Sequence, residues 1–210
     1  MTQDFDAVLF DMDGVLIDAK EWHYEALNQA LKIFGFSINA IDHEIRFDGL
    51  STKNKLQILI NERVLPEKLH PIISAIKQDR TLRIAATNCF PKVSHLILLQ
   101  RLRSLGLRTG LVTNSIRETT EFMMTYAGII NLMEVIVTNE DVKKTKPHPE
   151  CYLKAMNDLG VSPSRTIVIE DGDYGVTAAT KAGARVLKVS GLDDVNIELL
   201  SPFIKELSEK

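Results

Sequence analysis

The chain has 210 residues, of which 45% are hydrophobic and 25% are charged. This composition is typical of a globular protein with one large domain or two small ones. The formal net charge of −3 at pH 7 excludes the strongly basic surface that a nucleic-acid or anionic-membrane binder usually carries.

The cysteines and the start of the chain bear on its location. Cys89 and Cys151 lie far apart and fit no metal-binding spacing. Residues 1–4 lack the basic start of a signal peptide, and no apolar run approaches the roughly 20 residues of a membrane span. We therefore expect a cytoplasmic protein with reduced thiols. We also expect a monomer or weak dimer that binds neither membrane nor nucleic acid.

The first predicted element is a buried strand over the apolar run Ala7–Phe10. Asp11 and Asp13 follow this strand directly, in the sequence Asp-Met-Asp-Gly. Two carboxylates at about 4 Å repel each other by roughly 4 kcal/mol at an effective dielectric of about 20. We therefore expect a cation or a reaction to use them. A solvated turn is the alternative, because aspartate and glycine both suit turns.

A helical insert is predicted after this strand. Apolar residues recur at helical spacing from about residue 20 to residue 83, and no convincing strand pattern occurs there. Gly35 predicts a helix end, and Ser51-Thr52 predicts a helix start. The prediction is a cap domain of residues 18–85 inserted into a core of residues 1–17 and 86–210. Such a lid can exclude water from a site beside the first strand.

The rest of the chain alternates between the two patterns. Helices are predicted over residues 92–105, 116–127, 149–159 and 173–182, and strands over residues 107–113, 133–138, 166–170 and 185–189. This alternation indicates an α/β fold, a Rossmann-like parallel sheet with helices on both faces.

Three more polar segments occur where strands end or helices begin: Thr113-Asn114-Ser115, the Lys146 segment Thr-Lys-Pro-His-Pro, and Glu170-Asp171. Each has a simpler interpretation, as a helix cap, a solvated lysine and a helix-entry turn respectively. In an open α/β sheet, however, ligands bind at the carboxyl ends of the strands. Because all of these segments are expected at that edge together with Asp11 and Asp13, a shared site is favoured.

These segments together resemble the motifs of the haloacid dehalogenase superfamily, in the branch that contains beta-phosphoglucomutase and sugar-phosphate phosphatases. The resemblance covers about residues 5–192. It implies a Rossmann-like core with a helical cap. It also implies a Mg²⁺-dependent phosphatase that hydrolyses a small phosphate monoester, a sugar phosphate foremost, through an aspartyl-phosphate intermediate.

The resemblance also implies a role for each matching residue. Asp11 would be the nucleophile, Asp13 the general acid and base, and Lys146 the group that offsets their charge. Thr113 and Asn114 would bind phosphate oxygens. The ligands of Mg²⁺ would be Asp11, the backbone carbonyl of Asp13, Asp171, and Glu170 either directly or through water. The cap residues that would select the substrate are His23, Lys53, Lys77 and Arg80.

The sequence departs from the family pattern at two positions. Gly172 stands where a serine is more usual, and this leaves Asp173 as an extra metal ligand or as a neighbour of one. Ala19 stands at the cap hinge where Ser or Thr is common, so the hydrogen bonding of the hinge is in question.

Three other functions stay open at this point. A phosphomutase shares the same residues and differs in passing the phosphoryl group to a second sugar hydroxyl instead of to water. A catalytically silent binding module is disfavoured, because Asp11, Asp13 and Lys146 are all present. The dehalogenase reaction would leave Asp13 and Glu170-Asp171 without a use.

Overall fold

The structure is a computed structural model, and it describes residues 4–204 and Leu207. At its centre is a five-stranded sheet with the strand order β3-β2-β1-β4-β5, in which every pairing is parallel. The strands are β1 (Ala7–Phe10), β2 (Arg108–Val112), β3 (Val135–Val137), β4 (Thr166–Glu170) and β5 (Arg185–Lys188). The predicted α/β fold with a parallel sheet is confirmed.

Strand β1 occupies the middle of the sheet. Leu9 lies opposite Gly110 of β2 on one side and opposite Val168 of β4 on the other. Val8 and Phe10 pack into a hydrophobic cluster on one face, whereas Ala7 and Leu9 pack into a cluster on the other. Because both faces of β1 are buried, its sequence is a continuous apolar run.

The order of the strands creates a crevice at the end of β1. The chain places β2 and β3 on one side of β1 and then crosses over to place β4 and β5 on the other. Where neighbouring strands send their connections in opposite directions, a crevice opens between these connections at the carboxyl edge of the sheet. Ligands of such folds bind in this crevice.

The helical segment of residues 20–88 forms the first part of the connection between β1 and β2, and its α-helices are four. They are α1 (Lys20–Lys32), α2 (Ala40–Asp42), α3 (Thr52–Asn61) and α4 (His70–Asn88), with a π-helical turn at His43–Phe47 after α2. This segment has a hydrophobic cluster of its own, which includes Leu27, Leu31, Leu56, Leu59 and Ile73. Apolar residues that were predicted from helical spacing thus form a second core.

The limits of the two predicted domains remain predictions. Helix α4 continues to Asn88 and passes through the predicted boundary at residue 85. The predicted core range also includes residues 1–3, 205–206 and 208–210, which lie outside the described residues.

The remaining helices are α5 (Val93–Ser104), α6 (Arg117–Tyr126), α7 (Glu150–Leu159), α8 (Asp173–Lys181) and α9 (Ile197–Leu200). Helix α7 ends at Gly160, whose φ of 68° is left-handed, as the sequence predicts for a helix end. Cys89 and Cys151 are both buried, and no disulfide joins them. Among the described residues, every helix is too short or too polar to cross a membrane.

Candidate active site

A cavity of about 620 Å³ opens between the carboxyl edge of the sheet and the helical segment. Its walls include Asp11 and Asp13 after β1, Thr113 after β2, Lys146 in the loop after β3, and Glu170 at the end of β4. The structure therefore brings together the four segments that the sequence singled out.

Lys146 lies at the centre of the charged groups. Its Nζ is 2.6 Å from Asp11 Oδ1 and 2.7 Å from Glu170 Oε1, and it also donates to the carbonyl of Val112 at 2.8 Å. Burial alone would lower the pKa of Lys146, but the two carboxylates raise it well above its ordinary value. Only 4% of the lysine is exposed, so the interpretation of a solvated lysine is wrong.

Glu170 is fixed by neighbours on several sides. Its Oε1 also accepts a hydrogen bond of 2.5 Å from Tyr152 Oη, and its Oε2 accepts one from the backbone N–H of Asp171. The carboxylate lies directly over Gly175, where an added Cβ would come within 1.8 Å of Oε1. Only a residue without a side chain at position 175 of α8 leaves room for the carboxylate of Glu170.

Asp11, Glu170 and Asp171 form a cluster in which one carboxylate oxygen from each lies within 4.8 Å of the others. Oxygen donors from carboxylates suit Mg²⁺, which takes one or two of them together with water and substrate phosphate. Burial and the charge of Glu170 raise the pKa of Asp11 well above its ordinary value, against the opposing effect of Lys146. A buried cluster with an excess of negative charge fits a divalent cation, and the backbone carbonyl of Asp13 comes from the same turn.

Asp13 points toward the helical segment. Its Oδ2 accepts a hydrogen bond from Ser115 Oγ at 3.1 Å and lies 3.2 Å from His23 Nε2. Its Oδ1 is buried and has no hydrogen-bond partner among the described residues. Burial tends to raise the pKa of Asp13, but His23, Ser115 and the charge of Lys77 together hold it below the ordinary value.

His23 links Asp13 to helix α4. Its Nδ1 lies 3.1 Å from Lys77 Nζ. Because an ammonium group has only protons to offer, Nδ1 accepts from Lys77, and the proton of the neutral ring is on Nε2, where it faces Asp13. Burial and the neighbouring charge of Lys77 lower the pKa of His23, which favours this neutral form.

Thr113 and Asn114 continue the wall after β2. The side chain of Asn114 accepts from the backbone N–H of Lys146 at 3.1 Å and donates to the carbonyl of Gly49 in the helical segment at 2.8 Å. Its own backbone N–H has no partner among the described residues. The helix-cap interpretation of Thr113-Asn114-Ser115 is wrong, because α6 begins after Ile116, which makes no side-chain cap.

Lys20, which the sequence analysis missed, bridges the two parts of the molecule. Its Nζ lies 2.5 Å from Asp171 Oδ2 and 3.4 Å from Asp48 Oδ2. Burial would lower the pKa of Lys20, but these two carboxylates raise it. Its side chain passes over Gly14, where a Cβ would come within 2.7 Å of Lys20 Cε. The first residue of α1 therefore contacts a candidate metal ligand.

The structure separates the residues of the predicted specificity set. His23, Lys53 and Lys77 line the cavity, Lys53 from an exposed position near its edge. Arg80 lies outside the set of described residues that line the cavity. Lys55, which the sequence analysis missed, lines it from a buried position.

The two departures from the family pattern are explained locally. The Asp173 carboxylate is 91% exposed and pairs with Lys188 at 2.6 Å, so it lies outside the acidic cluster. Ala19 precedes α1 without a side-chain cap, as a residue lacking a hydroxyl must.

Comparison with known proteins agrees with this geometry. The sequence pattern of the haloacid dehalogenase-like hydrolases matches residues 8–189. The chain therefore belongs to this family of hydrolases, as its motifs indicate.

Individual relatives are phosphatases by name. The chain is 29% identical to validoxylamine A 7'-phosphate phosphatase of Streptomyces hygroscopicus subsp. limoneus, over 98% of the chain and 95% of the relative. It is 24% identical to fructose-1-phosphate phosphatase of Escherichia coli (strain K12), over 95% of the chain and 100% of the relative. These names agree with the predicted enzyme class, a phosphoric monoester hydrolase.

A solved structure shows the same fold. Beta-phosphoglucomutase from Clostridium difficile superposes with a TM-score of 0.82, at 22% identity, over 98% of this chain and 100% of that one. The likeness extends over both the sheet and the helical segment, which confirms the predicted Rossmann-like core with a helical cap.

Proposed function

We propose that the chain is a Mg²⁺-dependent phosphatase of small phosphate monoesters, sugar phosphates foremost, that works through an aspartyl-phosphate. The observation that carries this proposal is the position of Lys146 between Asp11 and Glu170, with Asp171 beside them and Asp13 across the turn. Phosphatases of sugar phosphates among the relatives support the substrate class.

Asp11 is the proposed nucleophile. An oxygen of its carboxylate attacks phosphorus, and the bond between phosphorus and the ester oxygen breaks. Lys146, which lies 2.6 Å from Asp11 Oδ1, keeps that carboxylate in place and offsets the negative charge that gathers as phosphate approaches. Thr113 and the backbone N–H of Asn114 are positioned at the same wall to hold phosphate oxygens.

Asp13 is the proposed acid and base. It gives a proton to the departing ester oxygen and then takes a proton from the water that attacks the aspartyl-phosphate, which releases phosphate and restores Asp11. His23 and Ser115 contact one oxygen, Oδ2, and the unpartnered Oδ1 is left for this exchange. An anionic phosphoryl group beside Asp13 opposes the lowering of its pKa and so favours proton uptake.

The proposed ligands of Mg²⁺ are Asp11, the backbone carbonyl of Asp13, and Asp171, with Glu170 bound directly or through water. When bound, the cation would neutralise charge on the transferring phosphoryl group. Residues 18–85 are the proposed cap, which selects the alcohol part of the ester through His23, Lys53 and Lys77. A cytoplasmic location and a monomer or weak dimer stay predictions.

Phosphate release with and without metal tests the proposal. With p-nitrophenyl phosphate or a hexose 6-phosphate as substrate, EDTA should abolish phosphate release and excess Mg²⁺ should restore it. Ca²⁺ should restore it poorly, because it takes more ligands at longer distances. An unchanged rate in EDTA would contradict the metal site, and the absence of phosphate release from every ester would contradict the phosphatase.

The same assay separates the hydrolase from the phosphomutase alternative. A hydrolase releases phosphate from the hexose phosphate without any primer. A mutase requires a bisphosphate primer and returns an isomeric monophosphate with little free phosphate. A bisphosphate-primed sample that isomerises a hexose 1-phosphate a hundredfold faster than it releases phosphate would replace the hydrolase by the mutase.

A further inference from the structure

Two buried lysines line the cavity from its cap side. Lys55 belongs to α3 and Lys77 to α4, and they are only 6% and 8% exposed. Both contribute to the wall of the cavity that also contains Asp11 and Asp13. A lysine is rarely buried to this degree without a partner of opposite charge.

Neither lysine has such a partner in the described part of the chain. Lys55 Nζ lies 3.2 Å from His43 Nε2, and Lys77 Nζ lies 3.1 Å from His23 Nδ1, so each contacts an imidazole nitrogen. Within residues 4–204 and Leu207, neither forms an ion pair. Each ammonium group offers three N–H donors and uses one of them on a ring.

Asp48 and Asp13 act on these lysines only through their charge, and neither acid forms an ion pair with Lys55 or Lys77. The Asp48 carboxylate, which acts on Lys55 through its charge, pairs with Lys20. Asp13 is contacted by His23 and Ser115. Burial lowers the pKa of Lys55 to about 8, and burial together with the charge of Lys55 lowers the pKa of Lys77 to about 7. Two ammonium groups therefore line one wall, and neither is paired directly with a carboxylate of the described residues.

The cavity thus has two chemically different ends. At the sheet edge, Lys146 and the acidic cluster are arranged for a phosphoryl group. At the cap, two ammonium groups present unused donors, and an anion is the group that satisfies them. Buried charge without a counter-charge costs stability, so a site that keeps two lysines here is built for a charged occupant.

We propose that Lys55 and Lys77 form a second anion-binding subsite and that the preferred substrates carry a second phosphate or a carboxylate on the alcohol part of the ester. This inference rests on the proposed phosphatase function and narrows its substrate class. Lys77 also contacts His23, which in turn contacts Asp13. Lys55 has no contact with the proposed acid and base. A substitution of Lys55 therefore tests the anion-binding subsite separately from the chemistry of Asp13.

Matched pairs of esters test the inference. One pair is fructose 6-phosphate and fructose 1,6-bisphosphate, which differ by a second phosphate. The other is glycerol 3-phosphate and 3-phosphoglycerate, which differ by a carboxylate. For at least one pair, the wild type should show a kcat/KM that is tenfold or more higher for the ester with the additional anion.

The variants separate this subsite from general effects. Lys55→Met should remove at least nine-tenths of the preference, whereas Lys55→Arg, which keeps the charge, should retain most of it. Lys32→Met, a change of the same kind at an exposed position of α1, is the matched control and should leave the preference intact. Lys77→Met should lower turnover on both members of the pair, because it also releases His23. Thermal unfolding of each variant checks that it is folded.

Specific results overturn the inference. Wild-type protein that hydrolyses p-nitrophenyl phosphate yet shows no preference in either pair would refute it and leave the phosphatase proposal standing. Equal losses on both members of the preferred pair in Lys55→Met would also refute it. Failure to hydrolyse any ester, p-nitrophenyl phosphate included, would instead refute the phosphatase proposal. If Lys55→Met does not fold, the inference is still tested by the preference of the wild type and by whether Lys55→Arg retains that preference.

Discussion

Glu170 shows how much of the site depends on contacts that are invisible in a motif. Its carboxylate accepts from Lys146 and from Tyr152, a residue of α7 that the sequence gives no reason to select. Burial and the charge of Glu170 raise the pKa of Tyr152 well above its ordinary value, so its hydroxyl stays protonated and donates. The orientation of Lys146 toward Asp11 therefore depends on a tyrosine from another element.

Gly175→Ala should disrupt this arrangement. The new Cβ would lie within 1.8 Å of Glu170 Oε1, so the carboxylate must move away from Lys146 and Tyr152. We expect a loss of kcat of tenfold or more together with a lower melting temperature, both measured on purified protein. Gly172→Ala is the matched control, because no described atom beyond residues 171–173 lies within 4 Å of the Cβ it adds. Equal melting temperatures for the two variants would contradict the role of Gly175.

Asp11→Asn should separate catalysis from stability. The amide keeps the shape of the side chain but is a poor nucleophile, so kcat should fall by a factor on the order of 10⁴ or more. The melting temperature should be unchanged or higher, because burial already disfavours the charge of Asp11 and Lys146 keeps Glu170 as a partner. A kcat within tenfold of wild type would rule out Asp11 as the nucleophile.

At the scale of elements, the sequence predicted the strands and helices of the core because their signals are local. A buried parallel strand is a short apolar run, and the carboxyl ends of such strands meet at one edge. Asp11, Thr113 and Glu170 could therefore be placed together from the sequence. Lys20 and Asp48 could not, because their contact depends on how the helical segment lies over the sheet.

The apolar stripe of helix α3 indicates which of its lysines is buried. Lys55 stands four residues before Leu59, and Leu59 belongs to the apolar stripe from which the helix was predicted. Residues four apart share a face of a helix, so Lys55 points inward and Lys53 points outward. The phase of the helix therefore favours Lys55 over Lys53 as the buried lysine of this helix.

The pH dependence of the substrate preference should report the charge of Lys55. Burial lowers the pKa of this lysine to about 8, so it is charged and attracts an anion below that pH and is neutral above it. Phosphate esters have their second pKa at about 6 and stay fully charged throughout this range. The kcat/KM for the preferred ester, divided by that for p-nitrophenyl phosphate, should therefore fall as pH rises through 8.

Taking this ratio cancels the titration of groups that both reactions share. Lys77, whose pKa is lowered to about 7, should make the decline begin at a lower pH. In Lys55→Met the component of the decline centred near pH 8 should disappear. A ratio that stays constant from pH 7 to 9 in the wild-type protein would show that the charge of Lys55 does not contribute to recognition.

At the scale of the whole molecule, the cap and the core are joined by polar contacts around the cavity. Asn114 donates to the carbonyl of Gly49, Thr119 donates to the side chain of Gln78 at 2.9 Å, and Lys20 connects Asp48 with Asp171. Polar contacts of this kind are exchanged for contacts with water more readily than an apolar interface is. The arrangement therefore suits a cap that opens to admit an ester and closes over it.

The central position of β1 has a consequence for the synthesis of the protein. β1 precedes both of its neighbours along the chain, yet one of them begins at Arg108 and the other at Thr166. Pairings so distant in sequence form slowly, and until β4 arrives one edge of β1 lacks its hydrogen-bonding partner. A chain that stops before residue 166 also lacks Glu170 and Asp171. The chemistry proposed for Asp11 therefore requires Glu170 and Asp171, which are translated long after it.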